Sequence, residues 1–305
     1  MLATRDGYGI GLENIGSDEK IVALDADLSD STKSNKFAKK YPERFFEMGI
    51  SEADMICTAA GLASCDKIPF ASSFASFLMR SLDQIFVSVA YSKMNVKIIG
   101  SHGGIATGED GPTAQCLIDI GCMRTIPNMI VINPADGKEA ERATETISKY
   151  IGPVYMRTAR SKTPVIFDDD YEFKIGKASV IKDGSDLSIL STGIMLNEVL
   201  TARDMLEKNG ISVEILNVPT VKPIDKDTII KTAKKTGNVI TCEDHNIING
   251  LGSAVSDVLC NYNVNIKKVG LNDRFAESGN PKELYEKYGL SSESIAKNAI
   301  DMLKR

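Results

Sequence analysis

The chain contains no run of about 18 consecutive apolar residues, so no helix that spans a membrane is expected. Its opening residues, Met1-Leu-Ala-Thr-Arg-Asp, lack the basic-then-apolar pattern of a secretory leader, so export is not expected. Positive charge is not in excess either. Lys and Arg number 36 against 41 Asp and Glu, a net charge of −5, whereas a nucleic-acid binder would carry a basic stripe. Six cysteines (Cys57, Cys65, Cys116, Cys122, Cys242 and Cys260) are scattered, and none forms a Cys-x-x-Cys pair. A zinc site or redox dithiol is therefore disfavoured, and reduced, mostly buried thiols of a cytoplasmic protein are expected. What remains is the profile of an intracellular globular enzyme.

At 305 residues the chain is long enough for about two domains, each able to bury a substantial core. Apolar runs of strand length recur between helix-like stretches. Ile21-Val-Ala-Leu, Val96-Lys-Ile-Ile, Met129-Ile-Val-Ile and Val154-Tyr-Met lie in the first half. Leu187-Ser-Ile-Leu, Val213-Glu-Ile-Leu-Asn-Val, Val239-Ile and Ile266-Lys-Lys-Val-Gly lie in the second. Continuous apolar runs read as strands buried on both faces, and their alternation with helices implies parallel βαβ units. Between them, Leu196, Val199, Leu200 and Leu206 repeat at helical spacing until Asn209-Gly210 stops the pattern. Two α/β domains fit this rhythm best. Residues 161–186, with Pro164, Asp168-Asp-Asp, Gly176 and Gly184, show no long periodic helix and are expected to form a hairpin-like connection.

Four segments could carry chemistry. In Gly49-Ile-Ser-Glu-Ala-Asp, Ser51 and Asp54 have capping-box spacing, and Glu52 falls in the first helical turn. There a carboxylate either complements the helix dipole or is aimed at a ligand beside the sheet. Ser101-His-Gly-Gly-Ile-Ala-Thr-Gly-Glu-Asp-Gly-Pro-Thr follows a predicted strand, where open α/β sheets bind ligands. It fits neither the dinucleotide fingerprint nor the P-loop, so a plain glycine-rich turn is the alternative. Phe74 and Phe77 are neighbours on one face if that segment is helical, as core or as a wall for a flat ring, and Arg80 extends the same face. Arg5, Arg157 and Arg160 offer guanidinium forks for an oxyanion, or are solvated arginines.

Five segments in order, Asp25-Ala-Asp-Leu-Ser, Gly49-Ile-Ser-Glu, Gly108-Glu-Asp-Gly-Pro-Thr, Ile126-Pro-Asn-Met and Val221-Lys-Pro-Ile-Asp, carry a family resemblance. With them the chain resembles the C-terminal half of transketolase, the form found as a separate subunit in split transketolases, over nearly its whole length. The resemblance implies a pyrimidine-binding domain at 1–165, a connector at 166–184, and a C-terminal domain without direct cofactor contact at 185–305. It implies thiamine diphosphate, with magnesium or calcium held by an N-terminal partner subunit in an assembly of two of each chain. Under it, Glu52 and His102 are the catalytic candidates, Glu52 matching the glutamate that hydrogen-bonds the aminopyrimidine ring. Phe74 and Phe77 match the aromatic positions that pack on that ring. Arg80 falls where deoxyxylulose-phosphate synthase relatives carry an arginine, and Asp27 lies in the segment that approaches the cofactor from the dimer interface. His102 and Asp110 match contacts to sugar hydroxyls, and Arg5, Ser31 and Arg160 match the group that holds the sugar phosphate.

Two departures qualify the match. Ala114 stands where the family usually has a histidine that helps hold the donor ketose, which makes a sulfonated, branched or deoxy sugar plausible. The Gly-Asp-Gly…Asn motif that binds metal and diphosphate is absent: Asp6-Gly7, Asp110-Gly111, Asp136-Gly137 and Asp183-Gly184 all lack the preceding glycine. The expected activity is therefore ketol transfer, shown only with the partner. Enzymes like deoxyxylulose-phosphate synthase, 2-oxoacid dehydrogenase β subunits and a non-catalytic scaffold are the rivals. His245 is read as structural or interfacial.

Overall fold

The computed structural model describes residues 1–304 and forms two α/β layer systems, each a mostly parallel sheet with helices on both faces. The first sheet runs Thr220–Lys222, Ile130–Ile132, Val154–Arg157, Lys97–Ser101, Ile68–Phe74, Ile21–Asp25, Phe45–Glu47. Every neighbouring pair is parallel except the first. Ile21–Asp25 and Lys97–Ser101 are buried at every residue, which is why their apolar residues, at 21–24 and 98–99, stand consecutively rather than alternating with polar ones.

Helix Glu52–Ser64 and the helical segment Ile85–Tyr91 cover one face, packing Met55, Ile56 and Ile85 on Val22, Leu24 and Ile98. On the other face, Thr4–Ile15 and Gly137–Lys149 bury Tyr8, Leu12, Ala143 and Ile147 against Ile21, Phe70 and Ile99. These two helices approach so closely that a Cβ on Gly7 would lie 1.8 Å from the Gly137 carbonyl oxygen.

The second sheet runs Asn265–Leu271, Asn238–Asn246, Leu187–Ser191, Val213–Asn217, Ser179–Lys182, parallel except at the last pair. Met195–Glu207 and Ser292–Leu303 pack on one face, and Lys226–Thr236 and Leu251–Leu259 on the other. The helix expected over 196–206 is present, and Gly210 follows it in the left-handed region at φ +73°.

Two connections differ from expectation. The stretch 161–186 is not a hairpin: Lys162–Thr163 pairs antiparallel with Leu2–Ala3, and Ser179–Lys182 is the edge strand of the second sheet. Strand Thr220–Lys222 comes from the second half yet closes the edge of the first sheet beside Ile130–Ile132. It is short, and hydrogen bonds from Val218 N to Ser191 O and from Asn133 N to Pro219 O carry the chain from one sheet to the other. Among the described residues, no helix is long and apolar enough to cross a membrane.

Candidate active site

The candidate residues gather at the carboxyl ends of the first sheet's parallel strands, where side chains leave the packed layers and the backbone is free to turn. Strand Ile68–Phe74 runs directly into the helical turn Ala75–Leu78. Phe74 thus ends a strand instead of starting a helical face, and the turn brings Phe77 back onto it, ring centroids 5.3 Å apart and stacked. From the next strand, Lys97–Ser101, the chain enters His102 at φ +60°, and its imidazole stacks on Phe74 at 3.8 Å.

That strained backbone is held from three sides. Ser101 Oγ meets His102 Nδ1 at 2.9 Å, Thr107 Oγ1 donates to His102 O at 2.7 Å, and Gly104 follows at φ +86°. A Cβ on Gly104 would lie 2.3 Å from Asp244 Oδ2, a carboxylate of the second half. Asp244 accepts from the backbone N–H of Ile105 (2.8 Å) and Ala106 (3.2 Å) and from Tyr285 OH (3.0 Å), so the second domain fixes the glycine-rich loop of the first.

Arg5, in the first turn of Thr4–Ile15, donates from Nη1 to Ser31 O at 3.1 Å and to His102 Nε2 at 3.3 Å. Because Nε2 accepts there, Nδ1 carries the proton and donates to Ser101. Burial drives His102 down to about 3, and the charges of Arg5, Arg160 and Lys33 push the same way. The imidazole is therefore neutral at physiological pH. Arg160 donates to Thr107 O (2.9 Å) and Asp110 Oδ1 (3.1 Å).

Ser51 occupies the N-cap of Glu52–Ser64, but its side chain makes no cap bond, so the expected capping box does not form. Glu52 is buried at 4% exposure, and Ser73 Oγ donates to its Oε1 at 3.1 Å. Ser73 immediately precedes Phe74, so one strand end positions both the carboxylate and the aromatic wall. Among the described residues, Oε2 of Glu52 makes no hydrogen bond.

Other candidates stand apart. Asp27 is exposed at φ +60° and donates its N–H to Glu47 Oε1 at 2.7 Å. Arg80 is exposed and, among the described residues, has no side-chain partner. Ser31 meets Arg5 through its main-chain oxygen. Arg157 does not reach the crevice. It is 3% exposed and bonds Asp119 through Nε (2.9 Å) and Nη2 (2.6 Å), Cys116 O (2.8 Å) and Asp244 O (2.7 Å), joining the two halves. Burial would raise the Asp119 carboxyl, but the Arg157 guanidinium beside it prevails and holds it below the usual range. His245 lies at the same junction, accepting from Gly121 N–H at 3.2 Å through Nε2.

Two supporting residues escaped the sequence reading. Asp244 sits next to His245 in a segment with no motif of its own. Asp25 ends strand Ile21–Asp25 and accepts from Leu28 N–H (2.7 Å), Thr32 Oγ1 (2.6 Å) and Ser34 Oγ (2.8 Å), shaping the loop that carries Ser31 to Arg5. Burial raises its carboxyl to about 6 against those three donors. Its positions at a strand's carboxyl end and at the head of the Asp25-Ala-Asp-Leu-Ser segment were the available signals, but neither showed what it binds. Among the described residues, no cluster of three or more His, Cys, Asp or Glu is placed to hold a metal ion.

Family models match the chain twice: the transketolase pyrimidine-binding domain over residues 1–165 and the transketolase C-terminal domain over residues 176–295. A protein of Methanocaldococcus jannaschii named for the C-terminal section of transketolase is 47% identical over 99% of this chain and 96% of its own. A 6-deoxy-6-sulfo-D-fructose transketolase subunit from Clostridium sp. (strain MSTE9) is 42% identical over 99% of this chain and 94% of its own length. An apulose-4-phosphate transketolase subunit of Phocaeicola vulgatus is 38% identical over 100% of this chain and 99% of its own. A solved structure described as a split gene transketolase, inactive beta4 tetramer, superposes with a TM-score of 0.93 at 43% identity, covering 100% of this chain and 99% of that one.

Proposed function

The chain belongs to the transketolase family, and from that premise we propose that it is the C-terminal subunit of a split, thiamine diphosphate-dependent transketolase. It would move a two-carbon ketol unit from a ketose phosphate or related anionic ketose to an aldose. One observation carries the reading: the strand ends and the helix starts beside them present a buried carboxylate, a stacked aromatic wall and a guanidinium paired with His102.

The family depends on thiamine diphosphate. The residues present suit its pyrimidine half, with Phe74 and Phe77 offering a stacking wall and Glu52 Oε2 an unpaired acceptor. When bound, the cofactor supplies carbanion chemistry at the ketose carbonyl. Glu52 holds or yields a proton at the pyrimidine ring nitrogen, with Ser73 fixing its other oxygen. Neutral His102 orients sugar hydroxyls, aided by Asp110. Arg5 and Arg160 hold the anionic end, so that remote binding energy aligns the reacting carbonyl.

The diphosphate and its magnesium or calcium would belong to an N-terminal partner, since the chain carries no Gly-Asp-Gly…Asn motif. A surface for such a partner adjoins Glu52: Cys57 and Gly61 face outward on its helix, and Phe86, Val87 and Tyr91 are half to mostly exposed beside it. An assembly of two of each chain is proposed, in the cytoplasm. Ala114 is buried and leaves out the usual histidine, and relatives named for 6-deoxy-6-sulfo-D-fructose and apulose-4-phosphate support a non-standard ketose here.

The test mixes the purified chain with its partner, thiamine diphosphate and magnesium, and assays transfer from ketose phosphates to aldoses. Activity is expected in the mixture and not in the chain alone. Glu52→Ala should lower it about 10²- to 10⁴-fold with an unchanged circular dichroism spectrum. Transfer by the chain alone, or undiminished transfer by the variant, would overturn the assignment. Carbon dioxide release from pyruvate would move it to the deoxyxylulose-phosphate synthases.

A further inference from the structure

We propose that Lys33 is a third cation of the anion pocket beside His102, and that it selects a doubly charged phosphate over a singly charged sulfonate at the far end of the sugar. The inference rests on the reading that Arg5, Ser31 and Arg160 hold that anionic end.

Lys33 follows the short helical turn Ser29–Thr32 in the left-handed region, at φ +74°, with its N–H on Ser29 O at 3.0 Å. Its neighbours on both sides, Thr32 and Ser34, are tied to the buried Asp25 carboxylate at 2.6 and 2.8 Å, so the backbone of Lys33 is clamped. The loop then presses on helix Thr4–Ile15 at Gly9, where a Cβ would lie 2.7 Å from both the Cβ and the carbonyl oxygen of Lys33. Residues 5 and 9 are one turn apart on the same helix face. Lys33 therefore stands one turn along that face from Arg5, whose Nη1 already meets Ser31 O and His102.

The charges in this corner are unequal. Arg160 leans on Asp110 and, at 3.5 Å, on Glu109. Arg5 is partly offset by Asp6 and Asp110. Lys33, among the described residues, has no ion-pair or side-chain hydrogen-bond partner, yet its charge acts on His102 together with the two arginines. Arg5 Nε is buried and, among the described residues, lacks a partner. Coulomb energy scales with the charge of the ligand, so a third cation with no acid of its own favours a doubly charged group over a singly charged one.

Calorimetric titration of the purified chain alone tests this, using inorganic phosphate and methanesulfonate at about pH 8, where a phosphate group carries close to two charges. Lys33→Met should weaken phosphate binding about five- to tenfold and methanesulfonate binding only about two- to threefold, half the free-energy loss for half the charge. Lys33→Arg should restore the phosphate affinity, and thermal unfolding should show all three proteins folded alike. Equal weakening of both anions, unchanged phosphate binding in Lys33→Met, or no phosphate binding by the parent chain would each overturn the proposal. Failure of ketol transfer in the reconstituted enzyme, with these affinities as expected, would sink the proposed function and leave the anion pocket standing.

Discussion

The imidazole of His102 lies face to face with the ring of Phe74, centroids 3.8 Å apart and planes inclined by 21°. Phe74 ends one parallel strand and His102 follows the end of the adjacent one, with Phe74 paired to Ser101 in register. Stacking holds the imidazole edge-on to Arg5 and Ser101, so its two nitrogens have fixed and different tasks. The same ring also forms part of the aromatic surface beside Glu52. The proposed cofactor wall and the proposed sugar contact would thus be one continuous stack, and a change at Phe74 should disturb both.

His102 should stay neutral across the physiological range. Its folded value of about 3 lies below the ordinary 6.5, chiefly through burial. The unfolded chain binds a proton there that the folded chain refuses. The stability contribution is therefore present above 6.5 and is lost as pH falls toward 3, by about 1.4 kcal/mol per pH unit. His245, lowered to about 4 mainly by burial, acts in the same direction. Glu139 and Glu243, raised to about 7 by burial, act oppositely, so the comparison must be variant against parent. His102→Gln should subtract up to about 1.4 kcal/mol per pH unit from the parent's slope of unfolding free energy against pH below 6.5. An NMR titration with a His102 midpoint near 6.5 would contradict the assignment.

Arg157→Met should destabilise the chain by about 3–5 kcal/mol, because it strands the Asp119 carboxylate in the interior. Replacing both partners, Arg157→Met with Asp119→Leu, should recover a large part of that loss. Urea unfolding followed by circular dichroism measures both. A single variant within about 0.5 kcal/mol of the parent would show that the pair does not hold the halves together.

Gly104→Ala should cost about 1–3 kcal/mol for the left-handed backbone alone, and its Cβ would push Asp244 off the Ile105 and Ala106 amides. The loop carrying His102 would then lose its anchor to the second domain. In the reconstituted enzyme the expected result is a raised KM for the sugar as well as a lower Tm. A normal KM with only a lower Tm would show that Asp244 supports the fold and not the site.

The doubly wound architecture was legible because strands buried on both faces, such as Ile21–Asp25, leave long apolar runs. The short edge strands were not: Ser179–Lys182 alternates in burial and Thr220–Lys222 is three residues long, so neither stands out from a loop. Glu52, His102 and Arg160 lie where strand-end logic places them. Arg157 ends a strand, but periodicity cannot tell a guanidinium facing a crevice from one facing a partner carboxylate 38 positions away. The supporting roles of Asp244 and Asp25 were hidden for the same reason, since what marks them is the set of donors that folding brings within reach.

Because Thr220–Lys222 completes the edge of a sheet belonging to the other half, the two domains are interlocked rather than merely joined. A recombination or truncation point near residue 185 would leave Ile130–Ile132 with an open, adhesive edge and a foreign module unable to cover it. Exchange of C-terminal domains within this family would have to carry that three-residue strand along, which makes it a genetic constraint as much as a structural one.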